Sequence, residues 1–256
     1  MIQTALDAIS LPESCRVDQR IPKKLLLENG VPTAADKRFV NDSVEELHWI
    51  AALKPNTIGV SAYKDEQREY LEIALLTLIL RGLDSKAARA QRLLELVHRA
   101  IPYPVLLLSQ SGQQITLSLA HKRWAQNEVG KVVLDGEIYS ATLPDEKVTS
   151  DVERAFWNAL ALNCQPQTTL EPLYQGWIDC IQALKAAMLT GAYKRASSPH
   201  QSAARRQALQ ECEQLEAEAT RIRAQAAKEK QIARQVELNL ALKRVQDQLA
   251  NVRKQL

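Results

Sequence analysis

The chain has 256 residues, 46% hydrophobic and 25% charged, enough for one sizeable core plus an appendage or for two small domains. Normal apolar content with only 8 Gly and 10 Pro excludes collagen-like, mucin-like and wholly disordered classes. The 33 Lys+Arg and 30 Asp+Glu nearly cancel, and a net charge of +3 does not by itself announce a nucleic-acid binder.

In chain order, Pro22 suits the first turn of a helix that carries Lys23, Lys24 and Leu25–Leu27. Thr33–Lys54 reads as a helix, with Phe39, Val40, Val44, Leu47, Trp49, Ile50 and Leu53 as its broad apolar face and Pro55 ending it. Thr57–Ala62 suits a short strand. Tyr70–Leu80 fits a strand or a helix, and the bracketing Gly59 and Gly82 favour a strand. Ser85–Ala100 is a helix stopped by Pro102 and Pro104. Val105–Leu108 and Ile115–Leu119 flank Ser111-Gly112 as a β-hairpin, and Lys131–Leu134 and Ile138–Leu143 flank Asp135-Gly136 as a second. Asp151–Leu162 and Leu173–Leu189 are helices. The expected fold class is α+β, with a mixed, largely antiparallel sheet, packed helices and a long C-terminal helix of coiled-coil type.

Composition changes between Ala192 and Pro199, which places a globular body at 1–198 and a helical segment at 199–256. From Gln201 to Leu256 there is no Gly, Pro or aromatic residue, and helix formers dominate. One continuous helix over that stretch would be about 84 Å long. Leu238, Leu242, Val245, Leu249, Val252 and Leu256 form an apolar seam suited to a partner helix or a groove. Leu215, Ala219, Ile222 and Ala226 form an earlier seam that is out of phase with it, and the shift falls near Ile232–Val236. A single solvated helix is the alternative. This segment carries 11 Lys+Arg against 7 Asp+Glu, whereas the body is near neutral.

The four cysteines have no C-x-x-C spacing, so neither zinc nor thioredoxin-type chemistry is indicated. The opening residues lack a basic region followed by an apolar run, and Leu71–Leu80 is too short to span a bilayer. The expectation is a cytoplasmic protein without a membrane role.

Two basic groups stand out as candidate anion or nucleic-acid contacts. Arg20, Lys23 and Lys24 surround Pro22, where cations oppose a helix dipole unless an anion sits there. Lys122 and Arg123 adjoin Trp124, which pairs charge with a stacking surface. In both places solvated or charge-protecting side chains are the plainer explanation. Ser61 and Lys64 match S-x-x-K without its companion motifs. Asp84, Asp135 and Glu137 are the acids a divergent metal-dependent nuclease could use, although a helix cap and a turn account for them more simply. His48 and His98 lack a partner four residues on. No P-loop or dinucleotide fingerprint occurs, and no cofactor or metal is expected.

The strings Cys15–Lys24, Tyr70–Ile73, Ile101–Val105 and Leu117–Arg123 resemble a bacterial family of unknown function. Its members are encoded beside helicase-type ATPase and DNA methyltransferase genes, in loci that look like restriction or phage-defence systems. The resemblance covers roughly residues 11–190 and extends loosely into the helical tail. It implies a partner class and supplies no catalytic residues. The expected role is a non-catalytic accessory subunit of such a complex, its helical segment docking on a helicase-type ATPase, a methyltransferase or a second copy, and its body presenting Arg20, Lys23, Lys24, Lys122 and Arg123 to a DNA backbone or an acidic partner. A divergent metal-dependent nuclease and a homodimeric scaffold without a nucleic-acid role are the alternatives, and pairing of two copies through the C-terminal helix is a further expectation.

Overall fold

The computed structural model describes residues 2–30, 33–82, 87–126, 128, 130–143 and 150–256. The elements of the first half are α1 (Ile2–Ile9), β1 (Arg16–Arg20), α2 (Lys23–Asn29), α3 (Ala34–Ser43), β2 (Val44–Leu53), α4 (Pro55–Ile58), β3 (Tyr63–Lys64), β4 (Glu69–Tyr70), β5 (Ile73–Leu80) and α5 (Ala87–Ala100). They are followed by β6 (Val105–Ser111), β7 (Gln114–Leu119), β8 (Lys122–Trp124), β9 (Val132–Leu134), β10 (Tyr139–Thr142), α6 (Asp151–Ala159), α7 (Leu170–Thr190), α8 (Pro199–Ala226) and α9 (Ile232–Arg253). The chain divides into two compact units, Met1–Ile181 and Gln182–Leu256. The boundary falls inside α7, earlier than the composition break, which is the link between α7 and α8.

The α+β class holds. A six-stranded sheet runs β1-β2-β5-β6-β7-β10. Strands β5 and β6 are parallel and joined through α5, while the other pairings in that sheet are antiparallel. The β5–β6 pair lies at its centre and is buried on both faces, which is why Ile73–Leu80 is apolar at every position but Thr77. Leu76, Leu78 and Leu107 pack on one side against Leu26 of α2, Val40 of α3 and Leu93, Leu96 and Val97 of α5. Burial of each such side chain is worth roughly 1.5–3 kcal/mol relative to exposure. The Tyr174 hydroxyl of α7 donates to the Val105 carbonyl at 2.8 Å and accepts from the Ala120 amide at 2.9 Å, so α7 is fastened where β6 begins and β7 has ended.

Four expectations are corrected. Val44–Leu53 is strand β2 and not the second half of a helix; the Thr33 hydroxyl does cap α3, but that helix stops at Ser43. A register shift between Val44 and Glu46 puts Val44 and Leu47 on the same face despite their three-residue spacing, which imitates helical periodicity, and a second shift between Trp49 and Ala51 breaks the alternation again. Thr57–Ala62 is not a strand: Pro55 opens the one-turn α4 and Gly59, at φ 71°, closes it. Asp135-Gly136 turns the chain, but β9 pairs with β8 and β10 with the free edge of β7, so its flanking strands form no hairpin.

The fourth correction concerns the C-terminal segment. Helix α8 is indeed long, but Gln201–Leu256 is not one rod, because Ala227–Gln231 turns the chain and α9 packs back along α8. In the turn, the Glu229 carboxylate accepts the amides of Lys230 and Gln231 at 2.8 and 3.0 Å. Those bonds lower its pKa, that from Gln231 most. The two out-of-phase seams are therefore the facing sides of one hairpin. Ala219, Ile222 and Val245 pack with Leu238 and Leu242, and Ala208, Cys212 and Val252 with Leu249 and Leu256.

Gly30 follows α2 where its backbone meets the end of α5: a Cβ there would lie 2.5 Å from Ala100 atoms. Gly30→Ala is expected to destabilise the protein by about 1–3 kcal/mol in urea unfolding. A neutral effect would contradict this close approach. Ile222→Ala is expected to cost about 2 kcal/mol through the hairpin core, read as a lower melting temperature of the helical signal.

Candidate functional site

The first basic group does not converge. Cross-strand register places Arg20 opposite His48, on the sheet face away from Leu47 and Trp49. Its guanidinium lies 3.6 Å from Glu46, which also sits 3.3 Å from His48. Lys23 and Lys24 open α2 as expected, but the Lys23 amine donates to the Asn41 carbonyl at 3.3 Å and Lys24 pairs with Glu28 at 3.6 Å. The three cations thus have three separate acceptors, and exposed pairs of this kind are worth about 0–1 kcal/mol each.

The second group is corrected more strongly. Lys122 is not a surface cation: it is buried, and its ammonium donates to the carbonyls of His98 and, at 2.8 Å, of Ile101. These carbonyls belong to the end of α5, where a helix has acceptors without intrahelical donors and a partial negative charge. Burial pulls the Lys122 pKa down to about 7. Beside it, His98 is fully buried with Nε2 3.0 Å from the Ser118 hydroxyl. Burial, and then the charge of Lys122, lower its pKa to about 3, so the imidazole is neutral. Arg123 lies 3.5 Å from Asp135 and donates to the Trp124 carbonyl, and Trp124 is half-buried with its amide bonded to Gln67.

Asp135 belongs to a polar network that the sequence did not disclose. Arg68 bridges Asp135 at 2.5 Å and Glu171 at 3.3 Å. The buried Tyr70 hydroxyl lies 2.5 Å from His121 Nδ1, while His121 Nε2 lies 2.8 Å from Gln175, which donates to Asp179. With two guanidiniums on its carboxylate, Asp135 is an anchor for β8, β9 and the Arg68 loop. Glu137 is exposed beside Gly136, and Asp84 lies outside the described residues. No cluster of three or more His, Cys, Asp or Glu that could hold a metal occurs among the described residues.

The proposed partner-binding seam is likewise occupied. Leu238, Leu242, Val245, Leu249, Val252 and Leu256 all pack in the α8–α9 hairpin core. The other side of α9 presents Ile232, Val236 and Leu240, exposed by 79%, 52% and 54% and spaced four residues apart. That spacing places them on one stripe. The i, i+4, i+8 pattern was present in the sequence, but the longer Leu/Val seam masked it.

The neutral His98 gives a pH dependence of known sign. Its folded pKa lies below the ordinary histidine value of 6.5, so the unfolded chain binds the extra proton between those values. Its contribution is complete above about pH 6.5 and is lost as pH falls toward 3. Urea unfolding of the wild type is expected to weaken more steeply across this range than that of His98→Leu. Parallel pH profiles would contradict a buried neutral imidazole.

No helix among the described residues is long and apolar enough to cross a membrane. No curated protein and no solved structure matches the chain. Residues 9–249 match the family described as Domain of unknown function (DUF4391). That match takes in the sheet, the buried Lys122 and nearly all of the hairpin, and the chain therefore belongs to the DUF4391 family.

Proposed function

We propose that this protein is a non-catalytic, cytoplasmic accessory subunit of a DNA-directed restriction or anti-phage defence complex, and that it holds a helicase-type ATPase or a DNA methyltransferase through α9. The observation that carries this reading is the exposed stripe Ile232, Val236 and Leu240. Large apolar side chains gathered on one helical face, and not scattered singly, mark an association surface. Lys228, Lys230, Arg234, Lys243 and Arg244 flank the stripe in sequence, which favours a partner with an acidic rim or a DNA backbone nearby. The choice of partner class comes from the resemblance to the family encoded beside helicase and methyltransferase genes.

The test is a tagged pull-down from the native host, comparing the wild type with a Val236→Asp, Leu240→Asp double variant. The wild type is expected to recover a helicase-type ATPase or a methyltransferase, and the double variant to lose it while keeping the wild-type thermal melt. Equal recovery by both would reject the stripe as the contact. Recovery of only a second copy of the chain, or divalent-metal-dependent cleavage of a plasmid, would reject the accessory role.

A further inference from the structure

A second surface lies in the first unit and owes nothing to α9. On the sheet face covered by α2 and α5, the two helices leave a cavity of about 350 Å³. Its floor is Trp49, Ala74 and Leu76 from β2 and β5, and its walls are α2, the Gln19–Pro22 segment and the Ala100–Tyr103 loop. The space exists because Ala74 and Ala100 stand at positions where neighbouring core residues are leucine or valine. Small-molecule sites typically fall between about 300 and 1,000 Å³. Leu25 and Tyr103, large apolar residues 47% and 41% exposed, also line it.

Each wall is pinned from behind. The Ile101 carbonyl accepts from Lys122 at 2.8 Å, the Ala74 amide donates to the Pro104 carbonyl at 2.9 Å, and the Ile21 amide donates to the Leu47 carbonyl at 2.8 Å. The Trp49 indole N–H is committed to the Ala51 carbonyl at 2.9 Å, so the ring is held by its own strand. Gly30 brings the end of α2 against Ala100. The cavity is therefore preformed, and binding would cost little ordering.

Its chemistry is apolar and uncharged. Arg20 is the one Lys, Arg, His, Asp or Glu among the lining residues, and its guanidinium is engaged by Glu46 on the opposite sheet face. A cation entering would meet the Arg20 guanidinium, and an anion would have to draw that guanidinium from Glu46, so neither sign of charge is favoured over a neutral group. Gln19 supplies a side-chain amide, and Asn29, whose nitrogen donates to the Leu25 carbonyl at 3.0 Å, adds an amide oxygen, which suit a neutral hydrogen-bonding group. We infer that this cavity is a binding site for an uncharged small molecule with an apolar, ring-sized body and a single neutral polar group.

The probes are N-phenyl-naphthylamine, an uncharged apolar fluorophore, and anilinonaphthalene sulfonate, a related ring system carrying a negative charge. Titrated into the full chain, the uncharged dye is expected to bind saturably at one site, and the sulfonate about tenfold or more weakly. Ala74→Leu fills the floor, and Leu25→Glu puts a carboxylate on the partly exposed wall without disturbing the core. Each is expected to weaken the uncharged dye about tenfold, with the Leu25→Glu chain keeping the wild-type unfolding curve. The Val236→Asp, Leu240→Asp chain is expected to bind the dye normally, which separates this site from the α9 surface. Absence of saturable binding, equal affinity for the two dyes, or binding unchanged by both cavity variants would overturn the inference.

Discussion

The β5–β6 pair is buried on both faces, and the first unit is arranged around that constraint. A parallel pair needs a crossover, and α5 supplies it while covering one face with Leu93, Leu96 and Val97. The crossover leaves the C-terminal carbonyls of α5 inside the protein, where unsatisfied acceptors are costly. The Lys122 side chain answers that need by reaching from β8 to the carbonyls of His98 and Ile101. Burial keeps the neighbouring His98 uncharged, the Lys122 charge adds to that, and the same amine holds the loop that forms one wall of the apolar cavity. One amine thus links the central sheet, the end of a helix and a wall of the cavity.

The second unit obeys the same rule with helices. Two apolar seams in one chain cover each other, and the loop between them is stabilised by Glu229 in the absence of Gly or Pro. The Arg253–Glu216 contact at 2.8 Å spans the two helices, but at partial exposure its share is small beside the burial of Ile222, Val245 and Val252. The short stripe of Ile232, Val236 and Leu240 remains outside that core, as does the single Met188. Internal closure thus uses the more conspicuous seam and leaves the less conspicuous one exposed.

Much of the architecture was legible because its signals are local. The apolar run of β5, the Gly112 turn between β6 and β7, the Pro-terminated α5 and the Ser198-Pro199 start of α8 are each written in adjacent residues. The errors share a physical origin in pairing that the local pattern does not encode. Two bulges gave β2 a helix-like spacing, a sheet edge captured β10 away from the Asp135-Gly136 turn, and a hairpin without a breaker residue read as a rod. The candidate sites were less legible still. Lys122 looks like any surface cation until α5 is placed beside it, and the cavity depends on Ala74 and Ala100, residues with no chemistry of their own.

The claim on which the rest turns is that the Leu238–Leu256 seam is satisfied within the chain, since only then does association fall to the opposite stripe. The most direct measurement is the thermal unfolding of the purified full chain by circular dichroism over a wide range of protein concentration, with the mass in solution determined alongside. An intramolecular hairpin predicts a melting temperature independent of concentration and the mass of one chain. A melting temperature that rises with concentration together with a doubled mass would show that the seam pairs between molecules and would contradict the account.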